Sequence, residues 1–327
     1  MRTYCSALVG IVLAIALPAS AHHSNAIFDL TAELTLRGTV TRYEWRNPHV
    51  YVYVETADGS EQPVEWQLEG DPTPIMARSG WTGTSLVPGD VVTVRVHPDA
   101  TGPQHHGLIV SLATPDGVFL TPRAGGRAAP RPAESIAGVW DGLRGARTRT
   151  YNYGELTAKG RAAQAEFRES MNPTMNCIPF PTPSIVSAPY LHEIEVLGDR
   201  ILMRTELFHV ERTIYMDGRG HPENGERTNQ GHSIGRWEGD TLVIDTTLFT
   251  DYRAGNRSGI PNGAQKHVVE RLRLSDDHTQ LIVEYFIEDP EYMAEPMSGS
   301  TFWDYAPDRQ IEPFACDPEN ARQFAFE

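Results

Sequence analysis

The sequence predicts a mostly β protein, built as a small five-stranded barrel followed by a larger antiparallel barrel or curved sheet. Two observations carry this prediction. Short β-rich runs alternate with turn residues along most of the chain, as they do in all-β barrels. A stretch without hydrophobic period, residues 114–135, divides these runs into two sets, each long enough to bury a core of its own.

The first barrel is expected to contain five strands, with one short helix between the third and the fourth. Asp58-Gly59 is a strong turn signal after the second strand, and Pro88-Gly89-Asp90 is another before the fourth. Five strands with a helix after the third is the layout of an OB-like barrel, and a truncated sandwich is the alternative. The expected strands are Leu34–Trp45, Val50–Thr56, Val64–Glu69, Asp90–Val96 and Leu108–Leu112, and the expected helix lies within 74–83.

Residues 114–135 are rich in Pro, Gly, Ala and Arg, and this composition predicts a linker between two domains. The expected domains are therefore the OB-like barrel over 22–113 and the larger barrel over 136–327. Because such a linker is flexible, we expect the two domains to move independently.

The second domain is expected to be a succession of antiparallel hairpins. Gly138-Val139-Trp140 marks its first strand, and residues 156–170 have a helix-like composition with Thr157 as the N-cap. Glu238-Gly239-Asp240 and Asp276-Asp277 are the expected hairpin turns. The further strands are expected at His192–Leu197, Arg200–Phe208, Arg212–Met216, Ser233–Glu238, Thr241–Thr247, Lys266–Leu274, Gln280–Ile287 and Gly299–Tyr305.

The first 21 residues have the features of a secretory signal peptide. Arg2 supplies the basic start, an apolar run follows over 7–17, and the small residues Ala19 and Ala21 form an A-x-A cleavage site. Cleavage after Ala21 predicts a periplasmic or secreted protein. The apolar run is too short to span a bilayer and no other segment is apolar enough, so we expect no transmembrane segment in the mature chain.

Removal of the signal peptide takes Cys5 with it and leaves Cys177 and Cys316. In an oxidising exported compartment these two cysteines predict one disulfide, with two free buried thiols as the alternative. The formal net charge is -15 and the basic residues are scattered. Nucleic acid is therefore excluded as an expected partner.

Cleavage after Ala21 would make His22 the mature N-terminus, directly followed by His23. An N-terminal histidine offers its α-amine and a ring nitrogen to one metal ion, and imidazole suits copper and zinc. His49 follows Pro48 at a rigid corner and is the expected third imidazole. We predict a copper site at His22, His23 and His49, with zinc as the alternative metal. The competing interpretation is a solvated terminus and a hydrogen-bonded surface histidine.

The N-terminal part resembles a family of small exported bacterial proteins of uncharacterised function. Its most specific element is Trp45-Arg46-Asn47-Pro48-His49, and the resemblance covers about the first third of the mature chain. It implies a family and no activity. The other matching residues are His22-His23-Ser24, Gly38-Thr39-Val40, Glu44, Trp66, Glu69-Gly70, Gly80-Trp81 and Pro88-Gly89-Asp90-Val91.

The remainder resembles a domain of exported bacterial proteins, again without an activity. Gly138-Val139-Trp140 and Gly235-Arg236-Trp237 are also similar to the Gly-x-Trp elements of lipocalin-like barrels, which implies a calycin-like barrel by fold analogy. The matching stretches are Arg212-Thr213-Ile214-Tyr215-Met216-Asp217-Gly218-Arg219 with His221-Pro222, 235–243, and Glu270-Arg271.

A second candidate site lies in the larger barrel, where polar residues crowd one strand and its loop. His221 or His267 is the candidate base, Asp217 its orienting partner, and Arg212 or Arg219 would hold an anionic intermediate. The same residues can instead form a buried ion network that only stabilises loops. The full candidate set is Arg212, Tyr215, Asp217, Arg219, His221 and His267, with His192, His209 and Glu211 on neighbouring strands or turns.

Three function classes follow. The first is an exported two-domain β protein that binds copper at its N-terminus and a small molecule or an envelope protein in its second barrel. The second is an enzyme with an acid–base site in that barrel, acting on a small oxygen-rich or anionic molecule. The third is an interaction module without chemistry. The chain has no Gly-x-Ser-x-Gly, His-Glu-x-x-His, phosphate-loop, Rossmann or haem-attachment motif, which argues against the common classes that use them.

Overall fold

The computed structural model describes residues 27–57, 63–100, 105–114, 116–123, 130–152, 154–256 and 259–322. Across these residues the chain is mostly β, and its strands close into a five-stranded barrel followed by a nine-stranded barrel. The predicted fold class is confirmed, and the open curved sheet and the truncated sandwich are both excluded. Among the described helices, none has the length and apolar character needed to cross a membrane.

Alternating apolar and polar residues build the first barrel. In its fourth strand Val92, Val94 and Val96 are buried while their neighbours face solvent, because successive side chains point to opposite faces. β3 and β5 run parallel and close the ring, and a short helix separates β3 from β4, as the OB-like layout requires. The elements are β1 Leu34–Glu44, β2 Tyr51–Thr56, β3 Val64–Glu69, α1 Thr73–Ala77, β4 Val91–Pro98, β5 His106–Ala113 and β6 Phe119–Leu120.

The second barrel is a ring of nine strands closed by pairing of β15 with β16 and of β16 with β7. Neighbours in the ring are antiparallel except β11 and β12, which run parallel and touch through two residue pairs. Its strands are β7 Gly138–Asp141, β9 Leu191–Val196, β10 Arg200–Thr205, β11 Val210–Tyr215, β12 His232–Glu238, β13 Thr241–Thr247, β14 His267–Leu274, β15 Gln280–Glu288 and β16 Met297–Tyr305. Outside the ring are β8 Thr150–Asn152, paired with β16, and the helices α2 Leu143–Thr148, α3 Ala158–Glu166 and α4 Pro318–Ala321.

A segment of the chain itself fills the interior of the second barrel. We call residues 181–190 the plug. Its Val186 carbonyl accepts a hydrogen bond of 2.9 Å from the indole of Trp303, and its Thr182 carbonyl accepts one of 3.1 Å from the ammonium of Lys266. Both donors are buried side chains of the second domain. The barrel is therefore a packed core at this level and not an empty ligand chamber.

The two barrels meet at a C-terminal segment, residues 312–321, which we call the strap. The backbone N–H of Asp317 donates to the carbonyl of Asn47 at 2.9 Å. The predicted disulfide between Cys177 and Cys316 is present and ties the strap to the second barrel. Arg78, directly after α1, also makes a two-pronged ion pair with the fully buried Glu206 at 2.9 and 3.1 Å. These contacts join the two barrels directly, although the composition of residues 114–135 predicted a linker between them.

Two other expectations can be compared with the structure. The stretch expected as a linker contributes β6 to the first barrel, and Thr121 accepts a hydrogen bond from the buried indole of Trp81. Part of this stretch therefore packs against the first barrel, because its backbone pairs with β5 and accepts the hydrogen bond from Trp81. Thr157 caps α3 as predicted, since its hydroxyl accepts from the backbone N–H of Gly160 at 3.0 Å.

Candidate functional site

A cleft opens in the wall of the second barrel where β11 and β12 separate. Because these strands pair only through 214–215 and 233–234, no strand of the described residues lies beside the first half of β11 on this side. The cleft has a volume of about 610 Å³, a size typical of small-molecule sites. Its lining residues include Phe208, His209, Glu211, Arg212, Tyr215, Glu226, Asn229 and His232.

Next to the cleft lies a chain of hydrogen-bonded histidines and carboxylates, which we call the His–Asp cluster. Nδ1 of His232 lies 2.8 Å from Nδ1 of His221, and Nε2 of His221 lies 2.9 Å from Oδ1 of Asp245. Oδ2 of Asp245 lies 3.0 Å from Nε2 of His267, whose Nδ1 is 3.2 Å from Oε2 of Glu288. The cluster thus runs from the cleft, at His232, to the half-exposed carboxylate of Glu288.

Strand alternation places this cluster on the outer face of the barrel. In β13 the neighbours Ile244 and Thr246 are buried while Asp245 is partly exposed, and in β14 Val268 is buried while His267 is partly exposed. The strand register pairs Asp245 with Ile234 and Val269, so His232 and His267, two residues away on the neighbouring strands, are its diagonal neighbours on the same face. His221 joins them from the loop between β11 and β12.

The hydrogen bonds to Asp245 determine where the protons lie. An ionised carboxylate only accepts, so Nε2 of both His221 and His267 carries a hydrogen. When the ring of His221 is neutral, its Nδ1 is then an acceptor, and the hydrogen of the 2.8 Å contact belongs to Nδ1 of His232. This assignment leaves the lone pair on Nε2 of His232, so that nitrogen is the base of the cluster.

The surroundings shift the pKa values in opposite directions along the cluster. Burial, with the nearby charges of His221 and Arg219, lowers the pKa of His232 below its usual value. Burial also disfavours charge on His267, but the hydrogen bonds and charges of Asp245 and Glu288 outweigh it and raise the pKa of His267. Burial raises the pKa of Asp245, yet its two histidine partners outweigh burial and lower it overall. His232 is therefore held neutral and Asp245 ionised.

Three of the predicted site residues stand beside His232. Its ring stacks on Tyr215 with centroids 5.2 Å apart, and the guanidinium of Arg219 lies 4.0 Å from the centroid of the Tyr215 ring. Asp217 binds Arg219 through contacts that include 2.9 Å from Nε to Oδ1. Hydrogen bonding to Arg219 lowers the pKa of Asp217 to about 2.

The expected partnership of Asp217 with a histidine is therefore corrected. Asp217 lies in the loop after β11 and is engaged by Arg219, whereas Asp245 on β13 orients both His221 and His267. Sequence reasoning missed Asp245, His232 and Glu288 because they are distant in the chain. One sequence signal could have found them. A polar residue that interrupts the apolar pattern of a strand indicates a side chain on the outer face of the barrel.

Arg212 is placed differently from the other candidates. It points into the barrel, 5% exposed, and its Nη2 lies 2.5 Å from Oε2 of the fully buried Glu270. Nη1 donates to the hydroxyl of Thr182 in the plug at 2.7 Å. Within the described residues, no partner reaches Nε of Arg212 or Oε1 of Glu270. The buried ion network considered for this set therefore exists, but it contains Arg212 and not the histidines of the cluster.

The remaining candidates of the second barrel lie at three separate places. His192 is buried inside, stacked on Trp303 with centroids 3.9 Å apart, and burial lowers its pKa to about 3. Nε2 of His209 accepts a hydrogen bond from the backbone N–H of Phe314 at 2.6 Å. Glu211 lies at the cleft mouth, 2.7 Å from Arg204. None of these three belongs to the His–Asp cluster.

Of the predicted metal ligands, only His49 lies among the described residues, and His22 and His23 lie outside them. Nδ1 of His49 is 2.9 Å from Oε1 of the buried Glu69 and 3.4 Å from the carbonyl of Gly70. Burial lowers the pKa of His49, but the charge and hydrogen bond of Glu69 outweigh it and raise the pKa. In the part of the chain that the structure describes, no three His, Cys, Asp or Glu side chains form a group that could hold a metal ion.

Fold and site together define a two-barrel β protein with the His–Asp cluster beside a wall cleft. Residues 9–109 match a family described as a family of unknown function, DUF6152. This match fits the uncharacterised family that the sequence analysis expected for the N-terminal part. No curated protein matches the chain. A solved structure of the fluorescent protein UnaG, a point mutant, is 12% identical with a TM-score of 0.25, covering 52% of this chain and 95% of its own. A likeness this distant adds nothing to the strand pairing described above.

Proposed function

We propose that the cleft is the site of an enzyme that uses His232 as a general base on a small, oxygen-bearing molecule. The observation that supports this most directly is the unbroken chain from His232 through His221 to Asp245, with contacts of 2.8 and 2.9 Å. General acid–base catalysis needs a base that is held in position by hydrogen bonds, and here the imidazole of His221 and the carboxylate of Asp245 hold His232. The chain is exported in this proposal, with which its disulfide is compatible.

The geometry supports a defined proton path. Nε2 of His232 takes a proton from the bound molecule, and the Nδ1 proton of His232 passes to Nδ1 of His221. The resulting imidazolium of His221 keeps its Nε2–H on Asp245, whose negative charge stabilises it. His232 gains one proton at Nε2 and gives up one at Nδ1, so it stays neutral. His221 holds the added charge until the proton returns. Asp245 is a positioning residue in this scheme, because it acts through His221.

Hydrolysis of para-nitrophenyl acetate provides a first test. We expect the rate to rise with pH through a pKa below the usual histidine value and to fall about 100-fold or more in His232→Gln. His105→Gln, which removes an exposed imidazole of the first barrel, is the matched control and should leave the rate unchanged. Equal rates in wild type and His232→Gln would contradict the proposal.

The role of Asp245 is tested by the pH profile of the same reaction. In Asp245→Asn the imidazolium of His221 loses its charged partner, so the rate should fall and the profile should shift. Heteronuclear NMR of the histidine rings reports the tautomers directly. A hydrogen on Nε2 of His232 instead of Nδ1 would contradict the assigned path.

A second candidate function is binding of copper by His22, His23 and His49, and one contact favours it. The carboxylate of Glu69 holds Nδ1 of His49, which leaves Nε2 as the nitrogen available to a metal. Carboxylate-bound histidines are the usual form of a metal-ligating imidazole. We expect untagged protein that begins at His22 to retain one copper in native mass spectrometry. One residue added before His22, or His49→Gln, should abolish retention, whereas His105→Gln should not.

A further inference from the structure

The two arginines that the sequence analysis proposed as anion holders, Arg212 and Arg219, are already bound by carboxylates. Arg212 lines the cleft, but its guanidinium is buried against Glu270 at 2.5 Å, so its charge is compensated. Arg219, next to Tyr215, is bound by Asp217. The expectation that Arg212 or Arg219 holds an anionic intermediate is therefore corrected, because an entering anion would have to compete with a resident carboxylate for either arginine.

Glu211, which lines the cleft, belongs to a group of outward side chains with more negative than positive charges. Arg204 binds three carboxylates at once, those of Glu193, Glu195 and Glu211, at 3.0, 2.9 and 2.7 Å. One guanidinium compensates one carboxylate, so this group carries two negative charges in excess. Glu226 lines the cleft as well. These carboxylates favour a cation in the cleft over an anion.

The rest of the lining suits an apolar molecule with one oxygen. Pro179, Phe208 and Pro222 supply apolar walls. Nε of Arg212 is a donor that none of the described residues satisfies, and a ligand oxygen that reached it would supply the missing acceptor. We infer that the cleft binds a small, positively charged amine with an apolar body that carries a hydroxyl group. This inference rests on the proposed function, since it names the ligand class of the same cleft.

Three probes with one skeleton and different charge test the inference. Tyramine is the cation, tyrosol the neutral analogue and para-hydroxyphenylacetate the anion. Binding to the full exported chain is measured by calorimetry, and the ring signals of His232 are followed by NMR. We expect tyramine to bind most tightly and para-hydroxyphenylacetate most weakly, with a preference that decreases as salt is added.

Glu226→Gln identifies the source of the preference. We expect it to weaken tyramine about two- to fivefold and to leave tyrosol unchanged, as for loss of an exposed ion pair. Glu223→Gln removes an exposed carboxylate of the same loop that does not line the cleft, and it is the matched control.

The outcomes separate the inference from the proposed function. Tyrosol or para-hydroxyphenylacetate binding as tightly as tyramine would overturn the inference. Failure of all three probes to bind, with His232 still titrating below its usual value and still needed for ester hydrolysis, would overturn the inference alone. If His232 shows neither property, the proposed function fails with it.

Discussion

The inner and outer faces of strands β11–β14 carry polar residues of two different kinds. On the inner face, Arg212 and Glu270 are buried and bound to each other, and Ser233 and Thr246 share a hydrogen bond of 2.9 Å. On the outer face, the His–Asp cluster is partly exposed and joins groups whose pKa values are shifted in opposite directions. The same strands thus hold a fixed network on one side and a titrating one on the other.

This difference shows how position decides the role of a polar residue. Inside the barrel a charge must be paired, because water does not reach it to replace a lost partner. Outside, beside a cleft, a histidine can exchange its proton with a ligand or with solvent. The three predictions that follow test this comparison, and they are ordered from the largest expected effect to the smallest.

The inner histidine, His192, should make the protein acid-sensitive. Its pKa is lowered to about 3, so the unfolded chain binds a proton between the usual 6.5 and 3 that the folded chain does not. Stability is full above pH 6.5 and decreases as pH falls, by about 5 kcal/mol at pH 3 for this group. Urea unfolding of wild type and His192→Phe across this range measures the difference. We expect the free energy of unfolding to depend less on pH in His192→Phe than in wild type. His105→Gln is the surface control, and an equal decrease of the pH dependence in this variant would contradict the interpretation.

Breaking the inner ion pair of Arg212 with Glu270 should reduce the free energy of unfolding much more than breaking the outer contacts of Asp245. Glu270→Gln leaves the buried guanidinium of Arg212 without its counter-charge and should reduce the free energy of unfolding by about 3 to 5 kcal/mol. The double variant Arg212→Met with Glu270→Leu should recover most of that loss. Asp245→Asn on the outer face should cost about 1 kcal/mol or less. Similar losses at both faces, in urea unfolding at neutral pH, would contradict the comparison.

The outer histidine His267 should show the opposite pH dependence to His192, with a smaller effect. Its pKa is raised by Asp245 and Glu288 against the effect of burial, so its contribution is full below pH 6.5 and is lost as pH rises through the folded pKa. Because the pair is partly exposed, the contribution should stay below about 1 kcal/mol. NMR titration should show the His267 pKa falling in Glu288→Gln. An unchanged titration would mean that Glu288 does not act on this ring.

Much of the fold could be predicted because strand patterns are local. The five strands of the first barrel were expected within a few residues of their observed bounds, since apolar alternation and turn residues such as Pro88-Gly89-Asp90 define them. The predicted turn at Asp58-Gly59 lies outside the described residues. The plug over 181–190 was not predicted. Its residues have no strand period, and only the closed ring around them makes them buried.

The candidate site was predicted in part for the same reason. His221, His267 and Tyr215 were singled out because polar residues interrupt an apolar pattern near one loop. Asp245 and His232 were missed because only the pairing of β12 with β13 brings them together. The pairing of Ile234 with Asp245 sets this register, and no short stretch of sequence contains it.

The sequence by itself predicted a mostly β chain in two parts and the pairing of Cys177 with Cys316. These properties depend on neighbours in the chain or on composition, so they can be inferred without a structure. Only the tertiary structure decided that Arg212 belongs to Glu270, that Asp245 and not Asp217 orients the histidines, and that the barrel is plugged. Those partnerships join residues many positions apart, and ring closure alone brings them within hydrogen-bonding distance.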